Sequence, residues 1–436
     1  MVPFLLALST LAHFLLRAYA SDSIKNSVLF NLGPSPQLHC KKWESPLVAS
    51  LQTPNHQFYA DEFLPTIPQK MEPFKKNFFK HNCTRHPLDT DPEAYCIFLN
   101  LNLNRGMGMV IVAKESIFEA SLQNLDFSED LMPASGPPAA IKVVAMPEKG
   151  GAGAVAHHGL RRGQPVAQIR AVGIFPNDPK LWWTEFGKSY RRQALELLPP
   201  RTRHIINSLL SDGRAKSQDD FLASVLKQNT FSTHLNPKLP MLYSALVLEP
   251  VVRLNHACRP NVGYYMDHAT QTIHMMALRE ISAGEELTIS YRSPELTRKL
   301  RRESLEIHYG FRCSCSHCQM DAEQGRLSDH RVQRILEFQY MHYTEPEWLS
   351  IEQVQELVRN CQREDLPYSL VTAYYIAAQV YNAHGRTQEA AEFAKKARRD
   401  GLMFVGPKWE YLEGAQLLSE SPQKHDSYMD IIFEED

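Results

Sequence analysis

Arg253-Leu254-Asn255-His256-Ala257-Cys258-Arg259-Pro260-Asn261 packs two side-chain amides, an imidazole, a thiol and a proline into nine residues. Pro260 lacks a backbone donor and pushes Arg259 away from helical angles, so the run makes a poor helix. It makes a poor strand too, because nothing in it alternates. A dense polar cluster after the apolar run 241–254 reads as a site, but taken alone it does not say which.

A chain of 436 residues is too long for one core, so two or three domains are expected. Apolar and charged contents of 43% and 22% are those of a folded soluble protein. A net charge of −2 argues against a mainly electrostatic nucleic-acid binder, so nucleic acid is not expected as a direct partner. Residues 4–16 are almost wholly apolar and Ala18-Tyr19-Ala20 is a small-x-small pattern, which reads as a signal peptide over 1–20. A buried N-terminal helix and a signal anchor are the alternatives. The signal peptide implies the secretory pathway or the extracellular space, with nucleus or cytoplasm as the alternative. No later apolar run is long enough to span a bilayer, so no membrane association is expected once the signal is removed. Asn82-Cys83-Thr84 is a glycosylation sequon.

The eight cysteines fall into groups. Cys313, Cys315 and Cys318 are spaced like metal ligands and too tightly for ordinary bridges. Cys40, Cys83 and Cys96 leave an odd count in the N-terminal third, and neither they nor Cys361 can be paired from sequence.

Residues 21–140 read as an irregular region with strand-like pieces at 95–99 and 107–112, and 128–139 as a linker. Residues 141–145 are β-branched and apolar; the glycines that follow, around Gly151-Ala152-Gly153, read as a turn that lets backbone approach a ligand. Residues 165–174 read as a strand, and 179–198, 201–210 and 219–227 as helices, the last capped by Asp219 or Asp220. Trp182 and Trp183 read as core. Short strands are expected at 262–266, 272–278 and 286–291. A helix is expected to start at Ser293-Pro294 and to end at Gly310. Beyond 320 the pattern is helical; 367–384, a glycine turn and an alanine-rich 387–399 make a tetratricopeptide-like hairpin. The tail 433–436 is acidic.

Four pieces then line up: Gly151-Ala152-Gly153-Ala154-Val155-Ala156, Asn255-His256-Ala257-Cys258, Gly284-Glu285-Glu286-Leu287-Thr288-Ile289-Ser290-Tyr291, and Tyr309-Gly310-Phe311-Arg312-Cys313-Ser314-Cys315-Ser316-His317-Cys318. Three thiolates on one loop want a fourth ligand to complete a zinc tetrahedron, from elsewhere or from His317. In order and spacing the set resembles the SET-domain lysine methyltransferases, over roughly 141–320. It looks closest to fungal SET proteins with a post-SET zinc motif, and is similar to the SET-and-MYND group without the MYND finger.

The resemblance implies an α+β protein: a β-rich SET fold of small sheets over 141–292, with a helical insertion at about 177–240, a post-SET zinc segment at 293–320 and a helical C-terminal region over 321–436. It implies S-adenosyl-L-methionine as cofactor, held by Gly151, Gly153, Asn255, His256, Tyr291 and Phe311, with Tyr291 catalytic. It implies zinc on Cys258, Cys313, Cys315 and Cys318. Tyr264 or Tyr265 would line a substrate channel, and the sequence does not choose between them. The implied activity is methyl transfer to a lysine of a protein substrate. The alternative is a non-catalytic SET-fold binding module of the secretory pathway, and in either case the helical C-terminal region is a candidate surface for a protein partner. Two features depart from the family: Ala257 replaces a common serine, and Lys149-Gly150 stands where Gly-Lys is frequent.

Overall fold

The computed structural model describes residues 71–431, apart from 88, 129–139, 150, 212, 240 and 345–348. The expected signal peptide, most of the expected linker, the acidic tail and Cys40 lie outside the described residues. In chain order the strands are β1 (Glu72–Pro73), β2 (Phe79–Thr84), β3 (Tyr95–Asn100), β4 (Met109–Lys114), β5 (Ile141–Met146), β6 (Gly151–Ala156), β7 (Pro165–Arg170), β8 (Gly173–Pro176), β9 (Thr230–Thr233), β10 (Tyr243–Leu246), β11 (Asn255–His256), β12 (Val262–Asp267), β13 (Thr272–Ala277) and β14 (Thr288–Ile289). The helices are α1 (Glu115–Ser121), α2 (Pro179–Trp182), α3 (Glu185–Glu196), α4 (Pro200–Asn207), α5 (Gln218–Asn229), α6 (Arg298–Tyr309), α7 (Ala322–Thr344), α8 (Ile351–Arg363), α9 (Pro367–Ala383), α10 (Thr387–Phe404) and α11 (Leu412–Glu420). The fold is α+β, with several small sheets and a helical C-terminal region.

The largest sheet runs β1-β2-β3-β4-β8-β10-β9. Its middle strands are apolar without alternation because both faces are covered. On β3 and β4, Cys96, Phe98, Met109 and Ile111 enter one core, while Tyr95, Ile97, Leu99, Val110 and Val112 enter another that includes the helices α2 to α5. Cys83 on β2 pairs with Cys96 on β3 in a disulfide, which settles one pairing the sequence left open.

The three-stranded sheet β12-β13-β7 separates the first core from the helical region. Val262, Tyr264 and Met266 pack on the first core and Tyr265 on the helices, as strand alternation requires. The successive helices α7 to α11 pack as neighbours, and α9 is nearly buried along its length. Several contacts tie them to the rest, two of them at β12 and beside β7. The Tyr368 hydroxyl donates to Tyr264 O at 2.9 Å and accepts from Tyr264 N at 2.8 Å. Arg162, between β6 and β7, meets Asp400 of α10 at 3.0 Å.

Local expectations fail where distant groups intervene. The expected strand at 165–174 divides, because Ala171 N–H donates to Gln271 O and Val172 N–H to Leu246 O, so the chain changes sheet there. The expected helix at 179–198 breaks at Trp183. Thr184 caps a second helix by accepting from Gly187 N at 3.0 Å, and the Arg191 guanidinium takes up the Leu181 carbonyl. Ser217, not Asp219 or Asp220, caps α5, accepting from Asp220 N at 3.1 Å. The helix expected at Ser293 starts only at Arg298, whose amide donates to Asp329 of α7 at 2.7 Å. The glycines at 151–153 form not a turn but β6, paired with β5.

Candidate functional site

Backbone pairing assembles the site from pieces about a hundred residues apart. Ala156 N–H donates to Glu285 O at 2.8 Å and Leu287 N–H to Ala154 O at 2.7 Å, so β6 lies along 285–287. The same segment runs on into β14, which pairs in parallel with β11: Asn255 with Thr288, His256 with Ile289. Asn261 locks the crossing. Its buried amide donates to Glu286 O at 2.8 Å and to Glu285 Oε1 at 3.1 Å, and it accepts from Thr288 N at 2.8 Å. One short-range consequence is that Gly153, Asn255, His256 and Tyr291 become neighbours.

Gly151 and Gly153 differ. A Cβ at exposed Gly151 would meet nothing within 4 Å. At buried Gly153 a Cβ would overlap Met146 Sδ and lie 2.7 Å from Asn255 Nδ2. Real Cβ atoms do not come so close, so any larger residue must displace the tip of Met146 or Asn255. Asn255 Nδ2 also donates to Glu286 Oε1 at 3.1 Å, and Glu286 in turn pairs with Lys149. Lys149 stood out in the sequence only as a departure from the family's glycine segment and Glu286 only as part of a motif; their pairing beside Asn255 is shown by the tertiary structure. Gly153→Ala is expected to push Asn255 or Met146 out of place and, if the cofactor that the resemblance implies binds here, to weaken its binding by about tenfold or more, while Gly151→Ala leaves it nearly unchanged; calorimetric titration of both variants with S-adenosylmethionine measures the contrast.

The Tyr291 amide donates to His256 Nδ1 at 3.0 Å. That assigns the proton of the neutral imidazole to Nε2, which sits 3.4 Å from Cys258 Sγ. His256 therefore bridges the Tyr291 backbone and the sulfur cluster. The Tyr291 hydroxyl donates to Leu254 O at 2.8 Å, and burial, first of all, raises its pKa so that it stays protonated. The ring is surrounded by aromatics: Tyr309 at 5.0 Å, His256 at 5.4 Å and Phe311 at 6.4 Å between centroids. Tyr309 is a site neighbour that sequence reading passed over as part of a helix end. Tyr264 packs on the same core as Tyr291, with Phe231 at 5.1 Å, while Tyr265 stacks on His274 at 4.8 Å beside the C-terminal helices.

Cys258, Cys313, Cys315 and Cys318 place their sulfurs within 4.8 Å of one another, with Cys258 at 4.0 Å from Cys313 and 3.4 Å from Cys318. Four thiolates about 2.3 Å from a zinc ion would stand about 3.8 Å apart, so the residues fit such an ion. Hydrogen bonding to Cys258 lowers Cys313 and Cys315, and hydrogen bonding around the set raises Cys258 and Cys318. Such a set cannot ionise fully without a cation, which is the chemistry of a structural metal site. His317 is not part of the set. Its Nε2 lies 3.2 Å from the Ser328 hydroxyl. Cys361 is also apart, buried in the helical core.

One further group behind the cluster was invisible in sequence. Glu364, buried at the end of α8, accepts from Ser328 at 2.7 Å, from Arg331 at 2.6 Å and from Arg259 at 2.9 Å. Burial by itself would raise its carboxyl, but these three donors outweigh it and hold the group below the usual carboxylate range. Arg259, next to Cys258, thereby joins the site to the helical region.

Residues 151–292 match the family described as "SET domain". The chain is 41% identical over 73 residues to a histone-lysine N-methyltransferase SET5 of Meyerozyma guilliermondii, covering 16% of this chain and 15% of that protein. It is 27% identical over 180 residues to the set5 protein of the same description from Schizosaccharomyces pombe, covering 40% of this chain and 56% of that one. A SET and MYND domain-containing protein of Dictyostelium discoideum is 39% identical over 67 residues, 15% of this chain and 13% of its own length. These matches thus span from about an eighth to just over half of the relatives' lengths. A solved SET domain of LSMT, bound to lysine and AdoHcy, is 11% identical over 73% of this chain and 95% of that one, with a TM-score of 0.25 that supports no correspondence of positions. Residues 151–292 are therefore similar to SET domains, and stretches of the chain are similar to the fungal SET5 proteins.

Proposed function

We propose that the chain is an S-adenosylmethionine-dependent protein-lysine N-methyltransferase, with zinc held by Cys258, Cys313, Cys315 and Cys318. The observation that carries this reading is the convergence of Gly153, Asn255, His256 and Tyr291 through the join of β6, β14 and β11. The names of the SET5 relatives support it and make histones the first substrates to assay.

When bound, the cofactor supplies an electrophilic methyl group. The chain's own residues do the rest. The cradle of Gly153 and the amide of Asn255 bind and orient the cofactor, and Phe311 covers an apolar face. The Tyr291 hydroxyl already donates its hydrogen bond to Leu254 O. Its lone pairs are therefore free to accept from a lysine amine and to orient that amine's own lone pair towards the methyl group. A free lysine must lose a proton first, at a cost of about 4–5 kcal/mol at pH 7. Tyr264, Tyr309 and Phe231 provide an apolar wall that disfavours the charged ammonium and so reduces that cost. On this reading Tyr264, not Tyr265, lines the channel.

Tyr291→Phe tests the assignment. The ring contacts remain and the lost hydroxyl bond costs about 1 kcal/mol, so the variant is expected to fold. Cofactor affinity should change little, while methyl transfer from labelled cofactor to a histone mixture should fall by about a hundredfold or more. Transfer at the wild-type rate would remove the role given to Tyr291. A wild-type protein that does not bind the cofactor in calorimetry would instead be a binding module.

A further inference from the structure

A cleft between α3 and α5, in the helical insertion, takes no part in the site above. Its volume is about 440 Å³, within the range of small-ligand sites. Lys188, Arg191, Arg214, Lys216 and Lys227 line it with one carboxylate among the described residues, Asp220. That carboxylate is engaged, because Lys188 holds it at 2.7 Å. Trp182 and Trp183 also line it. Sequence reading placed both indoles in the core, yet Trp183 is 53% exposed.

Arg191 forms the floor and is only 2% exposed. Its Nη atoms donate to the carbonyls of Leu181 and Trp182, and its guanidinium lies 4.5 Å from the Trp182 ring. Its Nε has no partner, and no carboxylate pairs with it among the described residues. A buried cation without a counter-ion is costly, and burial pushes its pKa down to about 10. An anion in the cleft would relieve that cost. The net charge of −2 does not oppose this, because it averages over the whole chain while binding responds to the local field.

We propose that this cleft binds a nucleoside phosphate, free or at the end of a single strand, with the phosphate among the cations and the base stacked on Trp183. Cations beside an exposed aromatic face are the pairing that a phosphate joined to a heteroaromatic ring satisfies. An acidic or phosphorylated peptide would use the charges but leave the Trp183 indole without a purpose.

Anisotropy of a labelled oligoadenylate, with the full chain and with AMP, ribose 5-phosphate and a phosphoserine peptide as competitors, tests this. Binding is expected, with AMP competing at least about tenfold better than ribose 5-phosphate. The doubly reversed variant Lys216→Glu/Lys227→Glu alters exposed positions only and should bind about tenfold or more weakly, with a shallower salt dependence. Trp183→Ala should erase the preference for AMP over ribose 5-phosphate. An oligoadenylate that binds more tightly than AMP supports a strand as the source, and equal affinities support free nucleotide. No binding, equal binding by the charge-reversed variant, or a phosphopeptide that competes as well as AMP would overturn the proposal. Circular dichroism of each variant confirms that a loss is not unfolding.

Discussion

Cys258→Ser is expected to release the zinc and, with it, the cofactor site. The four sulfurs come from two segments, Cys258 beside β11 and the loop 313–318, so the zinc proposed here would be a cross-link between them. A structural zinc contributes about 10 kcal/mol or more in zinc-dependent peptides, as much as the whole stability of an ordinary domain. Without it the loop loses its anchor, Phe311 leaves the aromatic group around Tyr291, and His256 loses the sulfur its Nε2–H faces. Metal analysis should find about one zinc per chain in the wild type and a small fraction of that in the variant. Cofactor affinity should fall together with the metal. Cys361→Ala is the control, because Cys361 is buried in the helical core and lies apart from the cluster. A Cys258→Ser protein with full zinc and intact cofactor binding would dismiss the cross-link.

Glu364→Ala is expected to destabilise the chain by about 3–5 kcal/mol, because it leaves the buried Arg259 without its carboxylate. Arg331 and Ser328 lose their acceptor at the same time. Glu364→Gln keeps the shape and two lone pairs, so its cost should be smaller. The pH dependence has a definite sign. The folded carboxyl is held below its unfolded value, so its contribution is present above the unfolded pKa and is lost as pH falls through the folded one. Stability should therefore decline as pH drops below about 4.3. Part of that decline should vanish in Glu364→Gln; Asp400, held low by Arg399 and Arg162 against the opposing effect of burial, supplies another part and stays. Denaturant unfolding at several pH values measures both effects. Identical pH profiles for wild type and Glu364→Gln would show that this carboxylate does not fasten the helical region.

Much of the local structure was legible because it depends on neighbours in sequence. Gly310 ends α6 with a φ of 74°, as expected for a residue without a Cβ penalty. Pro367 opens α9, and the face Val354, Leu357, Val358 and Cys361 is buried on α8. The cluster Cys313-Ser314-Cys315-Ser316-His317-Cys318 announced metal chemistry through spacing alone. What failed depended on partners far away. Gly151–Ala156 looked like a turn because glycine is permissive, but β5 and the segment 285–287 draw it into a strand. Trp183 looked like core because indoles usually are, but a helix break beneath it turns it outwards.

The sequence by itself determined which chemistry is present: a glycine pair, Asn255-His256, a motif ending in Tyr291, and three closely spaced thiols waiting for a fourth. It determined these because residue type and spacing are local properties. Only the tertiary structure decided which of them meet. Backbone pairing of β6 and β11 with 285–289 set Gly153, and not Gly151, against Asn255. It chose Cys258 over His317 for the sulfur cluster, and it parted Tyr264 from Tyr265 by the faces of β12. Glu364, about a hundred residues beyond Arg259, completed the junction. Such choices follow from non-local hydrogen bonds and from which face of a strand is buried, and no window along the chain contains both partners.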